Sequence, residues 1–232
     1  MSNRTKFLKL PFQFNSTKLV NDLSLILDDK WISHFNTAGY NGNWKAIPLY
    51  ALNGDESNIF AHPTADSVVS ETLILKKCHY LKEVINTFKA PILTARILRL
   101  DVGAEIKPHR DHELGYEDGC FRLHIPIVTN PDVEFILDYT PLKMQVGECW
   151  YTNVNYLHSV KNLGTINRVH LVLDFERNKW SDELFFGLAP EESFLPLPKE
   201  TESPETIKRM IEELRLSKEP IAEELINQLL QK

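Results

Sequence analysis

The sequence predicts a mainly β protein with flanking helices, arranged as an antiparallel sandwich or barrel. Six short β-rich runs, separated by turn residues, fill the region from residue 93 to residue 175, and helical patterns lie before and after them. Several short strands at close spacing are typical of such an architecture. At 232 residues the chain is long enough for one domain with a continuous core.

Composition argues against several classes of partner. Apolar residues make up 43% of the chain and charged residues 25%, which is the balance of a soluble globular protein. No apolar run reaches the ~18 residues of a membrane-spanning helix, and the N-terminus lacks the apolar stretch of a signal peptide. The net charge is −6, without any dense lysine and arginine block, so we expect no nucleic-acid partner and no membrane partner. Three widely spaced cysteines form no disulfide framework, and we expect a cytoplasmic location.

Two helices and one strand are expected before the main strands. Ser16 suits the N-cap position of the first helix, whose apolar face comprises Leu19, Val20, Leu23, Ile26 and Leu27. A strand between turns is expected within residues 40–54. The second helix is predicted over Ser67–Phe88, and Pro91 ends it.

The main strands are predicted at Leu93–Leu100, Glu105–Pro108, Arg122–Val128, Val133–Leu137, Glu148–Tyr151 and Arg168–Phe175. After Trp180, repeated prolines predict a loop, and two short amphipathic helices follow it, beginning near Ser203 and Pro220. We therefore divide the chain into a β-rich domain with N-terminal helices over residues 1–180 and a C-terminal helical extension over residues 181–232.

A candidate metal site begins where His109 and Asp111 stand two positions apart. On an extended segment these positions point to the same side, so two different ligand types converge on one point. His158, further along the chain, is the natural third ligand. Two imidazoles and one carboxylate on one face leave the opposite coordination positions open, which is typical of non-haem Fe(II) oxygenases. Taken alone, His109 and Asp111 would also suit a surface turn.

Two strands carry arginine and histidine in alternation. Arg168 and His170 share one face of their strand, and Arg122 and His124 share a face of another. A guanidinium inside a barrel requires an anion, and its fork suits a carboxylate, such as the distal carboxylate of 2-oxoglutarate. The pocket is therefore expected to be cationic within an acidic protein. Two alternatives stay open: Arg122 pairs with a structural acid, and the two histidines are core residues.

The order of these motifs resembles a known family. The matching runs are Ile-Lys-Pro-His-Arg-Asp, Phe-Arg-Leu-His-Ile-Pro-Ile-Val-Thr-Asn, Gly-Glu-Cys-Trp-Tyr, His-Ser-Val-Lys-Asn and Arg-Val-His-Leu-Val-Leu-Asp. Between Leu93 and Phe175 they resemble the aspartyl/asparaginyl β-hydroxylase family, which includes bacterial cis-hydroxylases of free L-proline. The resemblance is looser over the N-terminal helices and fades after Trp180.

The resemblance implies a double-stranded β-helix, the jelly-roll core of cupin-like proteins, that binds Fe(II) and uses 2-oxoglutarate as cosubstrate. Carried onto this sequence, the metal ligands would be His109, Asp111 and His158, and the cosubstrate-binding residues Arg168, Arg122 and His124. The animal members that act on protein domains lack the metal carboxylate. The presence of Asp111 therefore favours the bacterial, small-substrate branch.

The function implied is an Fe(II)- and 2-oxoglutarate-dependent dioxygenase that uses O₂ to hydroxylate a small substrate, a free amino acid or its derivative. Two alternatives stay open: a peptide or protein aspartyl/asparaginyl β-hydroxylase, and a non-catalytic, metal-binding, cupin-like sensor. A degenerate sensor would be expected to have lost Asp111 or Arg168, and both are present. The oligomeric state, the substrate and the carbon attacked stay open.

Overall fold

The computed structural model describes residues 4–26, 28–60, 68–195 and 211. The chain divides into two compact units, Met1–Leu195 and Pro196–Lys232. The first unit contains the strands and α-helices given below, and it continues past the boundary predicted at residue 180. The two C-terminal helices predicted near Ser203 and Pro220 lie outside the described residues, so the helical extension stays a prediction.

The described residues form the strands β1 Phe7–Gln13, β2 Ile32–Ser33, β3 Tyr40–Asn41, β4 Trp44–Leu52, β5 Val69–Glu71, β6 Ile92–Leu100, β7 Glu105–His109, β8 Cys120–Val128, β9 Val133–Leu137, β10 Thr140–Leu142, β11 Glu148–Thr152, β12 His158–Asn162 and β13 Arg168–Glu176. They also form the helices α1 Ser16–Ser24, α2 His79–Asn86 and α3 Lys179–Phe186. All six strands predicted between residues 93 and 175 are present.

The strands pair into two antiparallel sheets. The larger sheet has the order β1-β11-β8-β13-β6-β4-β2, with β5 added beside β4, and the smaller has the order β10-β9-β12-β7-β3. Strands far apart in sequence are neighbours, as β8 is with β13, which is the pattern of a jelly roll. The predicted mainly β fold with flanking helices and a jelly-roll core is confirmed.

The larger sheet buries different side chains on its two faces. Along β13, Leu171 and Leu173 belong to a large apolar core that also contains Leu19 of α1, Leu81 of α2 and Phe185 of α3, so the three helices cover this face. Arg168, His170 and Asp174 alternate with the leucines and point to the other side. There the Arg168 guanidinium lies over the Phe135 ring of the smaller sheet. The polar residues of β13 therefore lie between the two sheets.

The helix predicted over Ser67–Phe88 is wrong in its first half. Val69–Glu71 pairs with β4 as a strand, and the Thr72 hydroxyl bonds the carbonyls of Pro48 and Leu49. The helix itself begins only at His79. Its third amide, at Leu81, donates to the Asp22 carboxylate of α1 at 2.8 Å. A distant side chain caps this helix, and no local sequence signal reveals such a cap.

Two further local predictions need correction. Helix α1 begins at Ser16 as predicted, but its N-cap is Asn15, whose side chain accepts from the Lys18 amide. The loop predicted after Trp180 is wrong for α3, which runs to Phe186. Asn178 caps this helix reciprocally with Ser181, a short signal that the later prolines obscured. No helix among the described residues is long and apolar enough to cross a membrane.

Because Leu171 is fully buried at the centre of the larger sheet, Leu171→Ala is expected to lower the free energy of unfolding by about 2–5 kcal/mol. Leu163→Ala is the matched control, since 61% of the Leu163 side chain is exposed, and it should change stability by less than about 0.5 kcal/mol. Urea denaturation measures both variants. Equal losses would contradict the core assignment.

Candidate metal and cosubstrate site

Three potential metal ligands meet at the adjoining ends of two inner strands of the smaller sheet. His109 ends β7 and His158 begins β12, and the two residues are direct partners in the antiparallel register, with ring centroids 4.1 Å apart. Asp111 lies in the loop after β7 rather than on the strand itself, and its amide donates to the Val154 carbonyl at 2.9 Å. One ligand atom from each of the three residues lies within 4.8 Å of the others, so the cluster could hold a metal ion.

Backbone hydrogen bonds fix the orientation of both imidazoles. The Nδ1 of His109 lies 2.8 Å from the Lys107 carbonyl, and the Nδ1 of His158 lies 3.0 Å from the Tyr156 carbonyl. A carbonyl only accepts, so each Nδ1 carries a proton, and in a neutral ring this leaves the lone pair on Nε2. Metal-binding histidines are commonly held in this way. Burial lowers the pKa of His158 to about 4, which keeps this ring neutral at pH 7.

The Asp111 carboxylate is held by a buried guanidinium. Arg122 donates from Nη1 to Asp111 Oδ2 at 2.5 Å, and from Nε to the buried Asp174 carboxylate at 2.6 Å. Burial alone would raise the pKa of Asp111, but the positive Arg122 lowers it well below its usual range. Asp111 Oδ1, the other carboxylate oxygen, lies 3.7 Å from the Nε2 of His109. One oxygen is thus anchored while the other faces the two imidazoles.

The contacts of Arg122 agree with the ion-pair alternative. Arg122 lies opposite Asp174 in the β8–β13 register, and Asp174 also accepts from Arg96 Nη2 at 2.9 Å and from the Thr94 hydroxyl at 2.9 Å. Burial alone would lower the pKa of Arg122, but the two carboxylates raise it. A role for Arg122 next to a cosubstrate stays a prediction.

Arg168 differs from Arg122, because no carboxylate pairs with Arg168 among the described residues. Its side chain is 2% exposed, its Nη2 donates to His170 Nδ1 at 2.9 Å, and its Nε has no partner. Burial lowers the pKa of Arg168 to about 9. A buried guanidinium without an anion is costly. Arg168 is therefore a buried cation that could receive an anion.

His124 is buried beside this cation, and neither ring nitrogen has a hydrogen-bond partner within the described residues. Burial, followed by the charge of Arg168, lowers its pKa well below the usual range. His170 Nδ1 accepts from Arg168, but its Nε2 also has no hydrogen-bond partner within the described residues. Buried polar groups in native proteins are nearly always satisfied. The unpaired nitrogens of His124, His170 and Arg168 leave hydrogen-bonding groups that a polar ligand could satisfy.

Two adjoining cavities meet at the cluster. The inner cavity is lined by His109, Asp111, His158, His124, Phe135 and Arg168, among others. The outer cavity, of about 580 Å³, is also lined by His109 and Asp111, and Arg96 and Arg122 contribute cationic side chains to it. Trp44, Leu98 and Ile106 line both. Arg122 also lines both cavities, whereas Arg168 lines the inner cavity and Arg96 lines the outer one.

Several residues of the site were not identified from the sequence. Asp174 shares a face of β13 with Arg168 by simple alternation, and Arg96 interrupts the mostly apolar strand β6, so each carried a usable signal. His34 and Trp44 line the outer cavity, but they precede the motif region and carry no spacing signal.

Fold and site together define a jelly-roll protein with a His–Asp–His cluster inside it. Among solved structures, an oxidoreductase of the 2OG-Fe(II) oxygenase family from Burkholderia pseudomallei is similar, with a TM-score of 0.51 at 12% identity over 75% of this chain and 86% of that chain. This likeness concerns the fold alone. The sequence model of the aspartyl/asparaginyl beta-hydroxylase family matches residues 13–178, and the chain therefore belongs to that family.

Two curated relatives come from Streptomyces. L-proline cis-3-hydroxylase 2 is 28% identical over 166 residues, covering 70% of this chain and 57% of the relative. L-proline cis-3-hydroxylase 1 is 31% identical over 146 residues, covering 62% of this chain and 50% of the relative. The match thus spans about half the length of these relatives.

If the cluster binds a divalent metal, Asp111→Ala should weaken Mn²⁺ binding by more than the roughly 10- to 100-fold loss that follows removal of a ligand's hydrogen-bond partner. Asp132→Ala, which removes an exposed carboxylate elsewhere, is the matched control and should bind Mn²⁺ as the wild type does. Isothermal titration calorimetry on chelator-treated protein measures both. Unchanged affinity in Asp111→Ala would refute this metal site.

Burial, reinforced by Arg96, lowers the pKa of His34 to about 4. The unfolded chain, with an ordinary histidine pKa, binds more protons between about pH 6.5 and pH 4, so stability present above pH 6.5 is lost as the pH falls through this range. In chelator-treated protein, His34→Phe should reduce that acid-induced loss by roughly 1–3 kcal/mol. Urea denaturation at pH 7 and pH 4.5 measures it, and an equal loss in both proteins would contradict the assignment.

Proposed function

We propose that the chain is an Fe(II)- and 2-oxoglutarate-dependent dioxygenase that hydroxylates a small substrate, a free amino acid or its derivative. One observation carries the proposal: the His109–Asp111–His158 cluster shares the inner cavity with Arg168, a buried guanidinium without a carboxylate partner among the described residues. Family membership and the similarity to L-proline hydroxylases support the same reaction class.

The donor set fits Fe(II). Two neutral imidazoles and one carboxylate, all from one side, are the ligands that non-haem Fe(II) oxygenases use, and they leave the opposite positions open. The Lys107 and Tyr156 carbonyls hold the rings with Nε2 available, and Arg122 holds the carboxylate. His109, Asp111 and His158 would hold the metal.

The unpaired groups of the inner cavity fit 2-oxoglutarate. Arg168 would receive its distal carboxylate, because a guanidinium fork binds a carboxylate through two parallel hydrogen bonds. His124, whose ring nitrogens lack partners, would contact the same cosubstrate. Arg122 is committed to Asp111 and Asp174, so its predicted contact with 2-oxoglutarate would add to these ion pairs rather than replace them.

When bound, Fe(II) and 2-oxoglutarate activate O₂, and the oxidative decarboxylation to succinate and CO₂ delivers one oxygen atom to the substrate. The protein's residues supply placement and protection. Arg168 orients the cosubstrate, Arg122 fixes the carboxylate ligand, and the apolar walls Leu98 and Ile106 limit the access of water to the cluster.

The outer cavity would receive the substrate. Its volume of about 580 Å³ suits a small molecule, and Arg96 and Arg122 on its lining would attract a carboxylate. Within the part of the chain that the structure describes, Arg96 Nε has no partner, although its Nη1 donates to the Ile59 carbonyl and its Nη2 to Asp174. An amino acid would present its carboxylate to these cations while its carbon skeleton lies beside the metal.

Succinate formation from 2-oxoglutarate by Fe(II)-loaded protein, with each free amino acid added in turn, tests the proposal. One amino acid should stimulate turnover and gain one oxygen atom by mass. Turnover that only peptides stimulate would favour the peptide hydroxylase alternative. Binding of Fe(II) and 2-oxoglutarate without any turnover would contradict the proposal and favour the sensor alternative.

Arg168→Ala should weaken 2-oxoglutarate binding by about 1.5–3 kcal/mol, the contribution typical of a charge-assisted hydrogen bond, and leave Mn²⁺ affinity within about threefold of wild type. Arg99→Ala, which removes a half-buried guanidinium paired with Asp101, is the control and should keep both affinities. Calorimetric titrations of the Mn²⁺-loaded proteins measure them. Unaltered 2-oxoglutarate affinity in Arg168→Ala would count against its assigned role.

A further inference from the structure

One wall of the outer cavity is built from aromatic rings. We call the four residues His34, Phe35, Trp44 and Phe60 the aromatic wall; all four line the outer cavity together with His109, Asp111 and Arg96. His34 stacks on Trp44 with ring centroids 3.5 Å apart and planes 12° from parallel. Phe35 stacks on His34 at 4.4 Å and contacts Phe60 at 4.8 Å. The wall is therefore a continuous aromatic surface.

Hydrogen bonds and ring contacts from neighbouring strands hold His34, the centre of the aromatic wall, in place. The His34 amide donates to the Trp44 carbonyl at 2.9 Å, next to the β2–β4 pairing, and the Tyr40 hydroxyl donates to the His34 carbonyl at 3.3 Å. The Tyr40 ring packs edge-on against both stacked rings. His34 is only 8% exposed. A ring fixed from several sides presents a defined surface to a ligand.

The His34 ring contributes an uncharged surface, and its neutral imidazole keeps one N–H donor. Its Nδ1 accepts from the Asn36 amide, so in the neutral ring the proton is on Nε2. The same cavity is lined by the positively charged Arg96 and Arg122, and Asp111 belongs to the proposed metal site. The outer cavity thus combines cationic side chains with an uncharged aromatic cluster.

We propose that the His34–Trp44 stack determines substrate specificity by contacting the hydrocarbon part of the substrate. This inference rests on the proposed function. A substrate whose carboxylate faces the arginines would lay a compact saturated ring or short branched chain against the stack. The His34 imidazole limits the space for the hydrocarbon part of the substrate, so removing this ring should admit a larger hydrocarbon group.

Two related imino acids that differ by one methylene test this directly. L-proline and L-pipecolate are compared in wild type, His34→Ala, His34→Phe and, as matched control, the exposed His79→Ala. In His34→Ala the ratio of kcat/KM for pipecolate over proline should rise by about tenfold or more, since one methylene in an apolar pocket is worth roughly 10- to 200-fold. His34→Phe retains a stacked ring and should keep the ratio within about threefold of wild type, as should His79→Ala.

A binding measurement separates specificity from folding. Calorimetric titration of each imino acid into anaerobic, Mn²⁺- and 2-oxoglutarate-loaded protein should show the same rise in the affinity for pipecolate relative to proline in His34→Ala. The affinities for metal and for 2-oxoglutarate should equal those of the wild type in every variant. An unchanged ratio in His34→Ala, or equal behaviour of His34→Phe and His34→Ala, would overturn the inference. So would wild-type succinate formation that neither imino acid stimulates, although the proposed function would then stand. Wild type that forms no succinate would overturn both.

Discussion

The site and the central strands around it depend on one buried interaction, the ion pairs of the Asp174 carboxylate with the guanidinium groups of Arg122 and Arg96. These charges lie on three adjacent central strands, where an unpaired charge would be strongly destabilising. The cross-strand register places Asp174 opposite both Arg122 and Thr94, so the pairing of β13 with β8 and β6 and the ion pairs support one another. Arg122 then reaches Asp111 with its remaining nitrogen and ties the loop after β7 to the sheet.

A second constraint is that the two faces of the larger sheet bury different kinds of side chain. One face buries leucines and phenylalanines under three helices and provides an apolar core, whereas the face toward the smaller sheet buries arginine, histidine and aspartate. Such polar residues are tolerated only where partners or ligands satisfy them. Asp174 satisfies Arg122, but Arg168 and His124 keep unpaired nitrogens. The cost of leaving them unpaired is why we assign this interior to an anionic cosubstrate.

Much of the fold could be predicted because strand alternation is a local property. The predicted alternation of Arg168 and His170 with Leu171 is confirmed, and the three proposed metal ligands lie together, although Asp111 reaches the cluster from a loop. Pairing between distant segments escaped prediction: β5 formed where a helix was expected, because its partner β4 lies elsewhere in the sequence. For the same reason the sequence did not reveal that His34 and Trp44 line the outer cavity, because their position follows from tertiary pairing rather than from sequence spacing. The roles of the site residues stay proposals.

The central claim is that His109, Asp111 and His158 bind one metal ion together. Anomalous diffraction from crystals grown with Mn²⁺ tests it without depending on turnover or on the choice of substrate. We predict one dominant anomalous peak within bonding distance of His109 Nε2, His158 Nε2 and an Asp111 carboxylate oxygen. The coordination positions opposite these three ligands should face the inner cavity. A dominant peak elsewhere, or none at this cluster when Mn²⁺ is in excess, would contradict it.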